Sequence, residues 1–226
     1  MKVKFDKAYL PILASFMAVN DVRYYLNGFH VKPHPEKGVI LTATDGHRLV
    51  TIHDKKGFSD GEYILPISKP LNAAAKKRNV IPLNSVQFID NKVYVLFHND
   101  GDEWEADFFK DDKDVNINLV SHVEYFSVID GRFPNTNRIF SSLKLKATKN
   151  IGINVDYVGK LKSVVTCKKF PSLNLMLSGN NGVVCAVSGY DKEIVSIVMP
   201  ARFDDENLTI PDFVNFGGGS AFNEPK

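Results

Sequence analysis

Asp21 to Leu49 reads DVRYYLNGFHVKPHPEKGVILTATDGHRL. It has two dense ends, Val22–Gly28 and Ala43–Leu49, in which polar, aromatic and glycine residues alternate closely. Between them, Phe29–Lys32 and Val39–Ala43 read as strands of a hairpin, joined by the Pro33–Gly38 turn with its two prolines. Asp45-Gly46 is a second turn signal, after which Leu49–Ile52 resume a strand. Tyr24 and Tyr25 are adjacent, so in a regular element only one can point inward; the other is exposed. Nothing in the stretch has the look of a catalytic loop.

Working outward, Val3–Phe5 form a short strand and Asp6 can cap the helix after it. Leu10, Leu13, Ala14 and Met17 have helical spacing, with Phe16 and Val19 widening the apolar face. Pro11 puts the start of the regular helix, or a bend in it, near Leu10. Glu62–Leu65 read as a strand, Ser68 as an N-cap with Pro70 in the first turn, and Leu71–Asn79 as a helix ending in Lys76-Lys77-Arg78. Val86–Ile89 and Val93–Phe97, divided by Asp90-Asn91, have hairpin spacing. Trp104–Phe109 form a further strand, Asp111–Ser121 an acidic insertion or loop, and Tyr125–Ile129 a strand running into Asp130-Gly131-Arg132-Phe133-Pro134. Leu143 and Leu145 alternate with lysines as in a half-exposed strand, and Ile151 and Ile153 continue extended. Asn154 caps a helix marked by Val158, Leu161 and Val165. Leu173–Leu177, Val183–Val187 and Ile194–Met199 are closing strands. The order strand, helix, several strands occurs three times, beginning near Val3, Glu62 and Leu143. That is an α+β fold of repeated strand-helix-strand units, with helices on one side of the sheets.

The chain has 226 residues, 44% hydrophobic and 24% charged, an ordinary composition for a soluble globular protein. No apolar run approaches the roughly 20 residues that span a bilayer, and the N-terminus lacks a signal-peptide core. The expectation is a cytoplasmic protein with no membrane partner. Cys167 and Cys185 belong to no CxxC pair, and His30, His34, His47, His53, His98 and His122 are scattered without metal or triad spacing. Gly217-Gly218-Gly219 precedes no Lys-Ser or Lys-Thr and reads as a linker. The expectation is therefore no enzyme, no catalytic residue, no metal and no cofactor.

Net charge is +2, but it is segregated. Asp100, Asp102, Glu103, Glu105, Asp107, Asp111, Asp112 and Asp114 crowd one segment. Lys76, Lys77 and Arg78 gather elsewhere, as do Lys160, Lys162, Lys168 and Lys169. Basic helix ends of this kind suit phosphates, in sequence-independent, salt-sensitive contacts. The bland alternative is a solvated helix end that complements the dipole. Asn20, Arg23, Tyr24 and Tyr25 complete the candidate DNA-contacting set.

Five blocks carry a resemblance: Asp21-Val22-Arg23-Tyr24-Tyr25-Leu26-Asn27-Gly28, Ala43-Thr44-Asp45-Gly46-His47-Arg48-Leu49, Ile129–Pro134, Asn154–Val158 and Ile197–Phe203. In this order they resemble the bacterial β sliding clamp, the β subunit of DNA polymerase III. The first three match its middle domain and the last two the end of its last domain. The resemblance implies a clamp domain at 1–136, a half clamp domain at 137–203 and a tail at 204–226. It implies a shortened member of about one and a half domains, encoded by a phage or mobile element.

The resemblance further implies a ring around double-stranded DNA, with helices lining the hole. A closed ring of about twelve strand-helix-strand units, at three per chain, needs four chains; a missed unit would make it three. Partners implied are DNA, a DNA polymerase and other proteins with clamp-binding peptides, and a clamp loader. The peptide groove maps onto Leu26, Thr44, Gly46, His47, Arg48 and Leu49, then Pro134, Arg138, Ile139, Asn154 and Tyr157. It is completed by Ile197, Val198, Met199, Pro200, Ala201 and Arg202. In it Leu49, Ile139, Val198 and Met199 would supply apolar burial, Gly46 close backbone approach, and Arg48 or Arg202 a polar rim. Ala201 stands where the family has a methionine. The alternative function is a non-encircling adaptor or decoy that binds clamp-interacting peptides.

Overall fold

A computed structural model of the chain describes residues 1–77, 84–97, 117–148, 150–165, 171–179, 182–188 and 191–202. The opening hairpin forms as read: β2 (Gly28–Pro33) pairs antiparallel with β3 (Val39–Thr44), and β3 with β4 (Arg48–Asp54). Alternation orients them. Phe29 and Val31, Val39, Leu41 and Ala43, and Val50 and Ile52 all enter the core. At Gly38 φ is +82°, and a Cβ there would stand 2.1 Å from the Asp54 carbonyl oxygen, so only glycine closes this turn.

Two antiparallel sheets result. In the first, β1 (Lys2–Asp6) lies between the two-residue β5 (Phe58–Ser59) and β7 (Asn84–Ile89), followed by β8 (Lys92–Phe97) and β9 (Val120–Tyr125). The second has seven strands. β6 (Tyr63–Pro66), β2, β3 and β4 continue through β12 (Ile194–Val198), β11 (Val184–Ser188) and β10 (Leu173–Leu177). The joint is the β4–β12 pair, in register from Ile52 opposite Ile194 to Arg48 opposite Val198. One sheet thus draws strands from both ends of the sequence.

Two of the three expected helices follow their expected caps. α1 (Tyr9–Phe16) buries Leu10, Ile12, Leu13 and Phe16. Its Pro11 falls in the first turn, where no helical N–H is lost. Ser68 Oγ accepts the Leu71 amide at 3.0 Å to open α2 (Lys69–Lys76). Asn154 Oδ1 accepts the Asp156 amide at 2.9 Å to open α4 (Val155–Leu161), which tightens into a 3-10 turn over Lys162–Val164. α1 lies between α2 and that turn, and Ser15 Oγ meets Ser163 Oγ at 2.8 Å. The two sheets share one core with these helices. Phe29 of the second sheet sits 5.6 Å from Phe5 and 6.0 Å from Phe88 of the first.

Several expectations are corrected. The strand placed at Tyr125–Ile129 lies upstream as β9, because Val120–Tyr125 supply the register opposite β8. Beyond it the chain leaves the first sheet and crosses to the second, where the Ile129 amide donates to the Ile64 carbonyl. Val120 and Ser121 are therefore strand, not loop. Leu143–Lys146 make only a single bridge, Lys146 with Ser178, so the third unit lacks its first strand. Val19 lies past the end of α1 and is exposed. Asp6 accepts the Ala8 amide but does not cap α1. A short helix unforeseen in the sequence, α3 (Asn137–Ser141), lies on the opposite face of the second sheet, with Ile139 and Phe140 against Leu49 and Ile197. The Trp104–Phe109 strand, the acidic segment 100–114, Cys167 and the tail 204–226 lie outside the described residues.

Asp6 supplies a pH test. Burial pushes its carboxyl above the usual range; the Ala8 amide opposes this, and nearby Asp54 adds to it. A pKa raised in the folded state means stability falls as pH rises through it. Asp6→Asn keeps the acceptor for Ala8 and removes the titration. Thermal melts should show the variant more stable than the parent at pH 7, with the advantage shrinking as pH falls toward 4.

Candidate functional site

The turn between β3 and β4 is built around Asp45. Its Oδ1 accepts the amides of His47 at 2.9 Å and Arg48 at 2.8 Å, and its Oδ2 accepts Arg48 Nε at 2.9 Å and also Nη2. Burial raises the Asp45 carboxyl, but the Arg48 side chain and these amides outweigh it and hold it below the usual range. Thr44 Oγ1 donates to the Arg48 carbonyl at 2.6 Å and accepts the Gly46 amide at 3.0 Å. Gly46 has φ +92°.

Arg48 points inward, not to a rim. It is 9% exposed, and its guanidinium carbon lies 5.5 Å from the Phe16 ring centre and 5.2 Å from that of Tyr157. Its pairing with Asp45 and two ring faces is what permits an arginine there. The expected rim residue is thus a pillar joining α1, β4 and α4. Val198, opposite it on β12, is fully buried and supplies core rather than groove surface.

The remaining predicted groove residues wrap the end of the second sheet. Leu49 and Ile197 pair across β4 and β12 on the outer face and are covered by Ile139, Phe140 and Leu143. At the sheet end the Met199 amide donates to the His47 carbonyl at 2.9 Å, and the His47 ring lies 5.9 Å from that of Tyr157. The Ala201 amide donates to the Gly152 carbonyl at 2.8 Å, which holds Pro200 and Ala201 beside α4. Leu26 and Thr44 are buried supports. His47, Pro134, Arg138, Asn154, Met199 and Arg202 are exposed, and Tyr157, Pro200 and Ala201 half-buried. Gly46 does have a close neighbour, but it is Arg23: a Cβ at Gly46 would lie 2.8 Å from Arg23 Nη1.

The basic candidates divide. Lys76 and Lys77 end α2, and Lys160 and Lys162 follow along α4 and its 3-10 turn; all four are exposed, on elements that flank α1. Arg78, Lys168 and Lys169 lie outside the described residues. Arg23 is held by Asp21, at 3.0 Å from Nε and 2.7 Å from Nη2, and donates to the Asp45 carbonyl at 3.2 Å. Those contacts pull the Asp21 carboxyl down to about 2. Asn20 is exposed with φ 56°, Tyr24 exposed and Tyr25 half-buried, the two rings meeting edge to face at 5.8 Å beside Gly131. Through Arg23 this cluster touches the Asp45 turn. Sequence reasoning missed Phe16, Asp21 and Asp45 as parts of the site. The Asp45-x-x-Arg48 spacing was the available signal, since an aspartate before a glycine folds back onto following amides.

A fold with two antiparallel sheets and helices layered on their shared core is that of bacterial DNA polymerase sliding clamps. The DNA polymerase sliding clamp of Pseudomonas aeruginosa aligns with 90% of this chain at 16% identity and a TM-score of 0.58. The DNA polymerase III β subunit of Thermotoga maritima aligns with 93% at 11% identity and a TM-score of 0.57, and that of Caulobacter crescentus with 89% at 16% and 0.54. The chain spans 66% of the Pseudomonas chain, 68% of the Thermotoga chain and 66% of the Caulobacter chain. At such identities it is the fold that is shared. A scan of protein-family models and a search of curated proteins return no match.

Removing Asp45 leaves Arg48 buried without its counter-ion. Asp45→Ala should cost about 3 kcal/mol, read as a lower urea midpoint.

Proposed function

We propose that this chain is a DNA clamp: copies assemble into a ring around duplex DNA and tether partner proteins through the groove at the end of the second sheet. The observation that carries the reading is the sliding-clamp fold over 90% of the chain. It comes with exposed Lys76, Lys77, Lys160 and Lys162 on helical elements that flank α1. Lysines on such a layer contact phosphates without reading bases, so a ring can slide. No catalytic step is needed, because enclosure keeps the partner on DNA. The organisation proposed is a clamp domain at 1–136, a half domain at 137–203 and a tail.

Ring closure is proposed to use the two sheet ends. β9 ends the first sheet and β10 the second. Val123 and Tyr125 on β9 and Leu175 on β10 are exposed. An end strand with exposed apolar side chains is a template for another chain, and two different ends generate head-to-tail contacts that close into a ring. Three units per chain imply four copies.

The groove would take a peptide with apolar side chains between His47, Tyr157 and Met199, with Arg138 and Arg202 on its margins. A non-encircling adaptor would keep this groove and lack the ring. Light scattering on the purified chain should give a mass near four times the 25.3 kDa of one chain. A strict monomer at high concentration would remove the ring and leave the adaptor.

DNA affinity gives a second test. Replacing Lys76, Lys160 and Lys162 by alanine should weaken binding to all sequences alike. The salt slope should fall by about 0.9 for each phosphate that is no longer neutralised.

A further inference from the structure

A cavity of about 480 Å³ opens on the outer face of the second sheet, between α3 and the turn that joins β10 to β11. α3 supplies Arg138 and Ile139, the residues just after it supply Leu143 and Lys144, and the turn supplies Ser178 and Val183. The two parts are tied together. The Lys146 amide donates to the Leu177 carbonyl at 2.9 Å, and the Gly179 amide to the Lys146 carbonyl at 3.2 Å. The turn itself is tight. The Gly182 amide donates to the Gly179 carbonyl at 3.2 Å, and a Cβ on Gly182 would lie 2.1 Å from the Ser178 carbonyl oxygen. These bonds set the walls before any ligand arrives, which lowers the cost of binding one.

The charge in this cavity is of one sign. Arg138 and Lys144 line it, and no acid does. Both are exposed, and neither has an ion pair among the described residues. Lys146 is a further exposed cation, with its Cδ 3.6 Å from where a Cβ on Gly179 would stand. The acids at this end of the sheet are committed or elsewhere. Asp21 is held by Arg23 and Asp45 by Arg48, and Asp156 sits on α4, across the sheet. Ser178 adds a buried hydroxyl that has no hydrogen-bond partner. Leaving that bond unmade is costly, and an oxygen acceptor in the cavity would supply it. Two cations and a spare O–H donor suit a carboxylate. Ile139, Leu143 and Val183 add an apolar surface, which a peptide covers and a phosphate chain does not.

The cavity adjoins the proposed groove through shared side chains. Arg138 and Ile139 belong to both, and Ile139, Leu143 and Val183 pack in one apolar cluster with the groove's Leu49 and Ile197. We infer that the cavity is an acidic subsite for partner peptides: an Asp or Glu that flanks the apolar segment in the groove places its carboxylate between Arg138 and Lys144. The inference rests on the peptide-groove reading, and it adds a charge preference and a new contact residue, Lys144.

The test uses the full chain and fluorescein-labelled synthetic peptides in anisotropy titrations. One peptide carries a Leu-Leu-Phe segment with glycine-serine flanks. Two others carry the same segment with an Asp-Glu flank on one end or the other. One acidic peptide should bind about fivefold tighter than the neutral one, the scale of a good exposed ion pair. That advantage should fade in about 1 M salt, where the screening length is about 3 Å. Lys144→Gln should bring the acidic peptide to within about twofold of the neutral one, and Lys144→Glu should abolish the difference. The double variant His47→Ala, Met199→Ala should weaken every peptide. An acidic flank without advantage on either end, or an advantage that survives both Lys144 variants, overturns the subsite. A duplex oligonucleotide that loses affinity with Lys144→Glu while the peptides keep theirs makes this a phosphate site and overturns it as well. Binding of the neutral peptide that ignores the double variant overturns the groove while leaving a Lys144-dependent acidic preference standing. Failure of every peptide to bind overturns both.

Discussion

The antiparallel pairing of β4 with β12 is the constraint on which the rest of the molecule depends. Without it the N-terminal hairpins and the C-terminal strands would be separate sheets with exposed ends. With it, Ile52, Val50 and Arg48 stand opposite Ile194, Ser196 and Val198 in one continuous sheet. The alternation of the two strands then decides everything nearby. One face joins the core with α1 and α4; the other receives α3 and the crossing segment. A one-residue slip would put Leu49 and Ile197 into the core and turn Arg48 out.

The Asp45 turn protects that register. It neutralises Arg48 at the point where β4 begins, so the arginine can lie between Phe16 and Tyr157. The same turn presents His47, whose carbonyl fixes Met199 as the chain leaves β12. Core and candidate groove are therefore two sides of one structure. A substitution here changes stability and surface shape together, which is why exposed His47 and Met199 are cleaner probes of binding than Arg48.

Much of this was legible in the sequence because it is local. The hairpin turn at Pro33–Gly38, the caps at Ser68 and Asn154 and the Asp90-Asn91 turn each depend on a few neighbouring residues, and each forms where expected. What was not legible depends on partners far along the chain. Val120–Tyr125 is a strand because β8 supplies its register, and Leu143–Lys146 is barely one because almost nothing pairs with it. Arg48 takes a rim role only from the groove that the resemblance implies; Phe16 and Tyr157, 32 positions before and 109 after, are what make its burial tolerable. Likewise Arg23, a candidate DNA contact in the sequence, is held by Asp21 and the Asp45 carbonyl.

In the proposed function, lysines on the helical layer, a groove at one sheet end and two end strands serve a chain that surrounds DNA. Retention on DNA of different topology tests that directly. Protein loaded on a closed circular duplex should remain bound through a high-salt wash and be lost when the circle is cut once, because a ring leaves by the free ends. Equal retention on the circle and the cut form, or loss of both in high salt, would contradict encirclement.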